Sequence, residues 1–120
     1  MKSIFGLNEN VAAALSYIAG PFSGIAVLVM ERENKFVRFH ALQSTIWFTL
    51  ILIVGWFLGF VANLPIPILG WLLGLILSPI IYIGGFAAFL SLVWLMAMAA
   101  GNKTYKIPII GDVVWAQVNK

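Results

Sequence analysis

Residues 41–102 contain no Lys, Arg, Asp or Glu, although they make up half of a 120-residue chain. A water-soluble domain needs a polar face, and soluble chains carry charge on about 25% of their residues. A stretch this long without charge has nothing to present to water. Hydrophobic residues reach 62% of the chain and charged residues only 9%. The chain therefore reads as an integral membrane protein, localised to a cell membrane and crossing it more than once.

A helix rises about 1.5 Å per residue and the hydrocarbon core is about 30 Å thick, so a span needs about 20 apolar residues. Residues 11–30, 41–62 and 80–100 meet that length. Glu9 and two Asn precede the first, so it reads as a retained span, not a signal peptide. Pro21 lies in its middle and is expected to kink it. Pro65 and Pro67 stop the second span, and Gly101-Asn102 ends the third. Residues 68–77 are apolar but short, with Pro79 behind them. They read as a re-entrant or interfacial segment, as the start of a long tilted helix, or as a fourth span. The expected fold is an all-α membrane helical bundle, one domain over residues 1–120. It has three transmembrane helices, the short segment and an interfacial tail at 101–120; four transmembrane helices are the alternative.

Charge sets the expected orientation. Arg32, Lys35 and Arg38 cluster in the first loop, and Lys103, Lys106 and Lys120 in the tail; only Lys2 precedes the first span. Cytoplasmic loops carry the excess of Lys and Arg. An odd number of spans puts first loop and tail together in the cytoplasm, with the N-terminus outside. Arg32, Lys35, Arg38, Lys103 and Lys106 are then placed to meet anionic lipid headgroups. In this setting a net charge of +3 points to membrane lipid, not to nucleic acid.

Gly20/Gly24, Gly55/Gly59 and Gly70/Gly74 are spaced one helical turn apart, which lets another helix approach closely. Such contacts form within the chain or in a homo-oligomer. His40, Gln43, Ser44 and Trp47 share a semi-polar face at the start of the second span. His40 reads either as a proton-sensitive or ligand-contacting group at the membrane edge, or as a histidine bonded to Gln43, Ser44 or the tail. Arg38 reads as a lipid-phosphate contact or as the partner of Asp112, Glu31 or Glu33. In the tail, Asp112 is placed to N-cap a helical turn at 113–118 that carries Trp115.

No carboxylate lies inside a span, which argues against a proton or cation pump. There is no cysteine, and the single His40 has no second metal ligand at suitable spacing. No nucleophile–base set or phosphate loop is present. The residues therefore point to a non-enzymatic protein without cofactor or metal.

Three segments carry a resemblance: 9–18 at the first span, 31–44 between the first two spans, and 106–112 in the tail. Together they resemble a family of small bacterial and archaeal membrane proteins of unknown function. That family looks related to the Tic-twenty-type component of chloroplast protein import. The resemblance implies an all-helical fold with three or four spans, and marks Asn34, Phe36, Arg38, His40, Gln43, Pro108, Gly111 and Asp112 as motif positions. Ser44 closes the central segment and joins them as an interaction residue. The functional expectation is a subunit of a membrane assembly, linked through the resemblance to protein translocation or insertion. The alternative is a passive pore or small-solute carrier lined by His40, Gln43, Ser44 and the broken segment 65–79. A wet cavity around these three side chains favours the pore, and their packing against the tail favours the subunit.

Overall fold

The structure, a computed structural model, describes residues 6–119. Lys2 and Lys120, two of the charges behind the sidedness expectation, lie outside the described residues. Among the described residues there are five helices: α1 (Glu9–Leu15), α2 (Pro21–Met30), α3 (Lys35–Ala62), α4 (Leu69–Ala100) and α5 (Ile110–Val118).

The first expected span is not one kinked helix. It is two short helices, α1 and α2, separated by turns at residues 16–20. Gly20 explains the break. Its φ of +61° and ψ of −131° lie where a side chain is strained, and Pro21 directly after it starts a new helix at its first position. Serines satisfy the interrupted backbone. Ser23 Oγ accepts the Ala19 N–H at 2.9 Å and lies 3.0 Å from the Ser16 carbonyl. Ser44 Oγ donates to the Gly20 carbonyl at 3.1 Å, tying the break to α3.

The chain forms two compact units. The first holds residues up to Thr49 together with those from Leu92 onward. Its core contains Ala12, Ala13, Tyr17, Val37, Phe39, Leu95, Ala99 and Val114. Gly24 sets the approach of α2 to α3. A Cβ there would lie 2.7 Å from Thr45 Oγ1 and 2.9 Å from the Ala41 carbonyl oxygen.

The second unit, Leu50–Ser91, is the end of α3, a turn, and most of α4. Gly70 packs on the Leu64 carbonyl, and a Cβ on Gly74 would lie 3.0 Å from the Ala62 carbonyl oxygen. Its surface is apolar: Trp56 is 73% exposed and Tyr82 79%. Helices α3 and α4 are long and apolar enough to cross a membrane, at 28 and 32 residues, and only 6% of each one's most apolar stretch is buried inside the protein. Side chains this apolar and this exposed need lipid around them.

The expected third span, 80–100, is the later part of α4. The short segment 68–77 starts with the turn at Ile68 and runs on into the first residues of α4, so it is the start of a long helix and not a re-entrant or separate segment. Pro79 lies inside the helix without ending it. Membrane helices tolerate proline because local adjustments and neighbours satisfy the freed carbonyl.

A five-residue pattern occurs twice in the chain. Residues 66–70 read Ile-Pro-Ile-Leu-Gly, and residues 107–111 read Ile-Pro-Ile-Ile-Gly. Both fold alike. The second Ile takes a positive φ, 67° at Ile68 and 70° at Ile109. The next N–H reaches back to the Pro carbonyl, at 2.7 Å (Leu69 to Pro67) and 2.8 Å (Ile110 to Pro108). The Gly N–H bonds the first Ile carbonyl, at 2.7 Å in one copy and 2.6 Å in the other. Each copy is a tight three-residue turn of the rare, strained kind, and each opens a helix.

Candidate functional site

The polar residues at the start of α3 converge on the tail. His40, Gln43 and Ser44 occupy successive turns of one helix face and all three are fully buried. The His40 Nε2 lies 2.9 Å from the Lys103 carbonyl oxygen, and Nδ1 lies 2.7 Å from the Tyr17 hydroxyl. A carbonyl only accepts, so Nε2 carries the proton and Nδ1 accepts from Tyr17. The Gln43 amide nitrogen donates to Tyr17 Oη and to the Tyr105 carbonyl, both at 3.0 Å. Its oxygen accepts the Ile107 N–H, also at 3.0 Å. Every donor and acceptor in this set is used, and among the described residues no buried side-chain polar atom lacks a partner.

Tyr17 is the centre that sequence reasoning gave no role. It lies in the turns after α1, fully buried, edge-on to His40 and to Phe48. A tyrosine inside an otherwise apolar segment was the available signal, because its hydroxyl must find a partner when buried. Phe36 and Phe39 also meet His40 edge-on, and Phe39 continues to Trp115 of α5. The His40 face is thus packed against the tail and does not line a wet cavity.

Asn34 is the N-cap of α3. Its Oδ1 accepts the Val37 N–H at 3.1 Å, and its amide donates to Glu9 Oε2 at 3.0 Å. Glu31 is buried and its carboxylate accepts the N–H groups of Glu33 and Asn34. Gly111 is buried against Lys106: a Cβ there would fall 2.5 Å from the Lys106 Cα. Pro108 is exposed and leads into the strained Ile109.

Asp112 takes neither of the roles expected of it. Asp112 does not N-cap a turn at 113–118. The helix begins earlier, at Ile110, and Asp112 lies in its first turn, where a carboxylate favours the helix dipole. Nor does Asp112 pair with Arg38. Its partner is Lys106, 3.9 Å away and itself 4.9 Å above the Trp115 ring. The Arg38 Nη1 instead donates to the Leu28 carbonyl at 3.2 Å and the Glu31 carbonyl at 2.6 Å. It satisfies carbonyls left open at the end of α2.

Of the glycine pairs, Gly24, Gly70 and Gly74 are at close contacts within the chain, and Gly20 serves the break before α2. Gly55 and Gly59 have nothing within 4 Å of a built Cβ. Among the described residues no three His, Asp or Glu side chains are grouped to hold a metal ion.

The magnetosome magnetite crystal formation protein family matches residues 8–114. A UPF0132 membrane protein of Archaeoglobus fulgidus is 38% identical over 112 residues, covering 93% of this chain and 97% of its own. Two UPF0132 membrane proteins of Methanocaldococcus jannaschii are 34% and 32% identical, covering 93% and 90% of this chain and 90% and 69% of their own. No solved structure matches.

Proposed function

Since the chain belongs to the magnetosome magnetite crystal formation family, whose UPF0132 relatives are named as membrane proteins, we propose that it is a non-catalytic subunit of a membrane assembly. The reading takes from the family its membrane setting alone. The observation that carries it is the use of His40, Gln43 and Tyr17. Their polar atoms hold the tail and one another, which leaves none of them open to a solute. By the criterion set from the sequence, that arrangement favours the subunit over the pore.

The surface left for partners is the apolar one. Gly55 and Gly59 present an open strip on α3, one turn apart, flanked by Trp56 and Phe60. Closely approaching helices use such strips in membranes. A second copy of the chain is the simplest occupant. First loop and tail lie on the cytoplasmic side in this reading, as the Lys and Arg bias favours. The narrower version, in which the assembly handles protein insertion or translocation, rests on the Tic-twenty resemblance alone.

Native mass spectrometry of the protein drawn from its own membrane in mild detergent tests the proposal. A discrete species heavier than the 13.2 kDa chain, lost in Gly55→Leu/Gly59→Leu, is the expected result. A strict monomer under every mild condition would overturn it.

A further inference from the structure

A cavity of about 700 Å³ opens between the end of α2, the loop before α3 and the end of α5. Its volume is in the range of small-ligand sites. Arg32, Lys35 and Arg38 line it, with Glu33 as the one acid, so three cations face one carboxylate. Leu28 and Val118 contribute an apolar wall. Arg38 is held in place by backbone carbonyls. Its two bonds to the Leu28 and Glu31 carbonyls use a single nitrogen of a group with five N–H donors.

We propose that this cavity binds the phosphate group of an anionic membrane lipid. Arg32 and Lys35 meet the phosphate oxygens, Arg38 fixes the floor, and the glycerol and first acyl carbons lie against Leu28 and Val118. Guanidinium and ammonium donors are the side chains that recognise phosphate. A free phosphate has no use for the apolar wall. A lipid does, and the site lies at the edge of the hydrocarbon: the charge-free stretch begins three residues after Arg38, and α2 exposes Phe22, Ile25 and Val29. The inference goes beyond the assembly reading and stands whether or not the chain has a protein partner.

The test uses the full chain in phosphatidylcholine nanodiscs doped with phosphatidylglycerol, with retained lipids counted by native mass spectrometry. The wild type retains phosphatidylglycerol in preference. Arg32→Gln/Lys35→Gln, both at exposed positions, lowers that preference on the order of tenfold. Glu33→Gln, which removes the one acid, raises it. Lys103→Gln, a cation outside the cavity that adds only diffuse surface attraction, lowers it far less than the double variant does, and millimolar inorganic phosphate does not displace the lipid. Equal retention of both lipids overturns the proposal. So does an equal loss in Lys103→Gln and the double variant, which would mean diffuse surface charge. Displacement by inorganic phosphate overturns the lipid assignment in favour of a soluble anion.

Discussion

At the scale of single residues, the three side chains Tyr17, His40 and Gln43 form a closed set of bonds around the tail backbone. Closed sets are costly to open, because a buried donor or acceptor left alone costs about 1–3 kcal/mol. Tyr17→Phe leaves His40 Nδ1 without a donor and one Gln43 N–H without an acceptor. A fall in stability of about 2 kcal/mol is expected, read as a lower thermal midpoint in detergent. Gln43→Leu frees the Ile107 N–H and the Tyr105 carbonyl. Hydrogen exchange across residues 103–109 should rise in that variant while residues 69–91 keep their protection. Unchanged exchange in the tail would show that the bonds do not hold it. The double variant should lose less than the sum of the two, with a coupling on the order of 1 kcal/mol, because the groups share partners. The sequence placed His40, Gln43 and Ser44 on one face through their helical spacing. It gave no means of choosing the tail as their partner, since that contact joins residues about sixty apart in the chain.

At the scale of elements, close backbone approach decides which glycines matter. Gly24→Ala sets a methyl 2.7 Å from Thr45 Oγ1 and 2.9 Å from the Ala41 carbonyl, so α2 must move away from α3. Gly59→Ala meets nothing within 4 Å. The first should destabilise the fold by about 1–3 kcal/mol, as overpacking does, and the second should leave the thermal midpoint of the isolated chain at or slightly above the wild-type value, because Ala favours the helix over Gly. The spacing of the three glycine pairs was plain in the sequence, and it did not distinguish them. The difference lies in which backbone passes opposite each one, and that is a property of tertiary packing. The same limit applies to proline. Pro21 starts a new helix because Gly20 before it can turn to positive φ. Pro79, preceded by Ser78 and set in a long apolar helix, interrupts nothing. The two Ile-Pro-Ile-Leu/Ile-Gly copies show the converse: five residues specify the same turn twice, in different surroundings.

At the scale of the whole molecule, the chain's membrane character was legible from the charge-free half alone, and the exposed apolar surface of α3 and α4 has the same cause. The number of crossings was not legible, because apolar length counts residues and does not reveal a break such as that at 16–20. At about 1.5 Å per residue, the 10 residues of α2 reach about 15 Å, half the hydrocarbon thickness. The 28 residues of α3 reach about 42 Å, enough to cross. Within the first unit the basic loop and the tail lie together, joined through His40 and Lys103. We propose that α3 and α4 each cross the membrane once, so that the charged loop and the tail meet the same compartment. The native chain has no cysteine, so Glu33→Cys, Asn119→Cys and Pro65→Cys each report without background. Labelling with a membrane-impermeant maleimide on oriented vesicles is the most direct measurement. Cys at 33 and 119 should react from the same compartment and Cys at 65 from the opposite one. Reaction of positions 33 and 119 from different compartments, or of all three from one, would contradict the account.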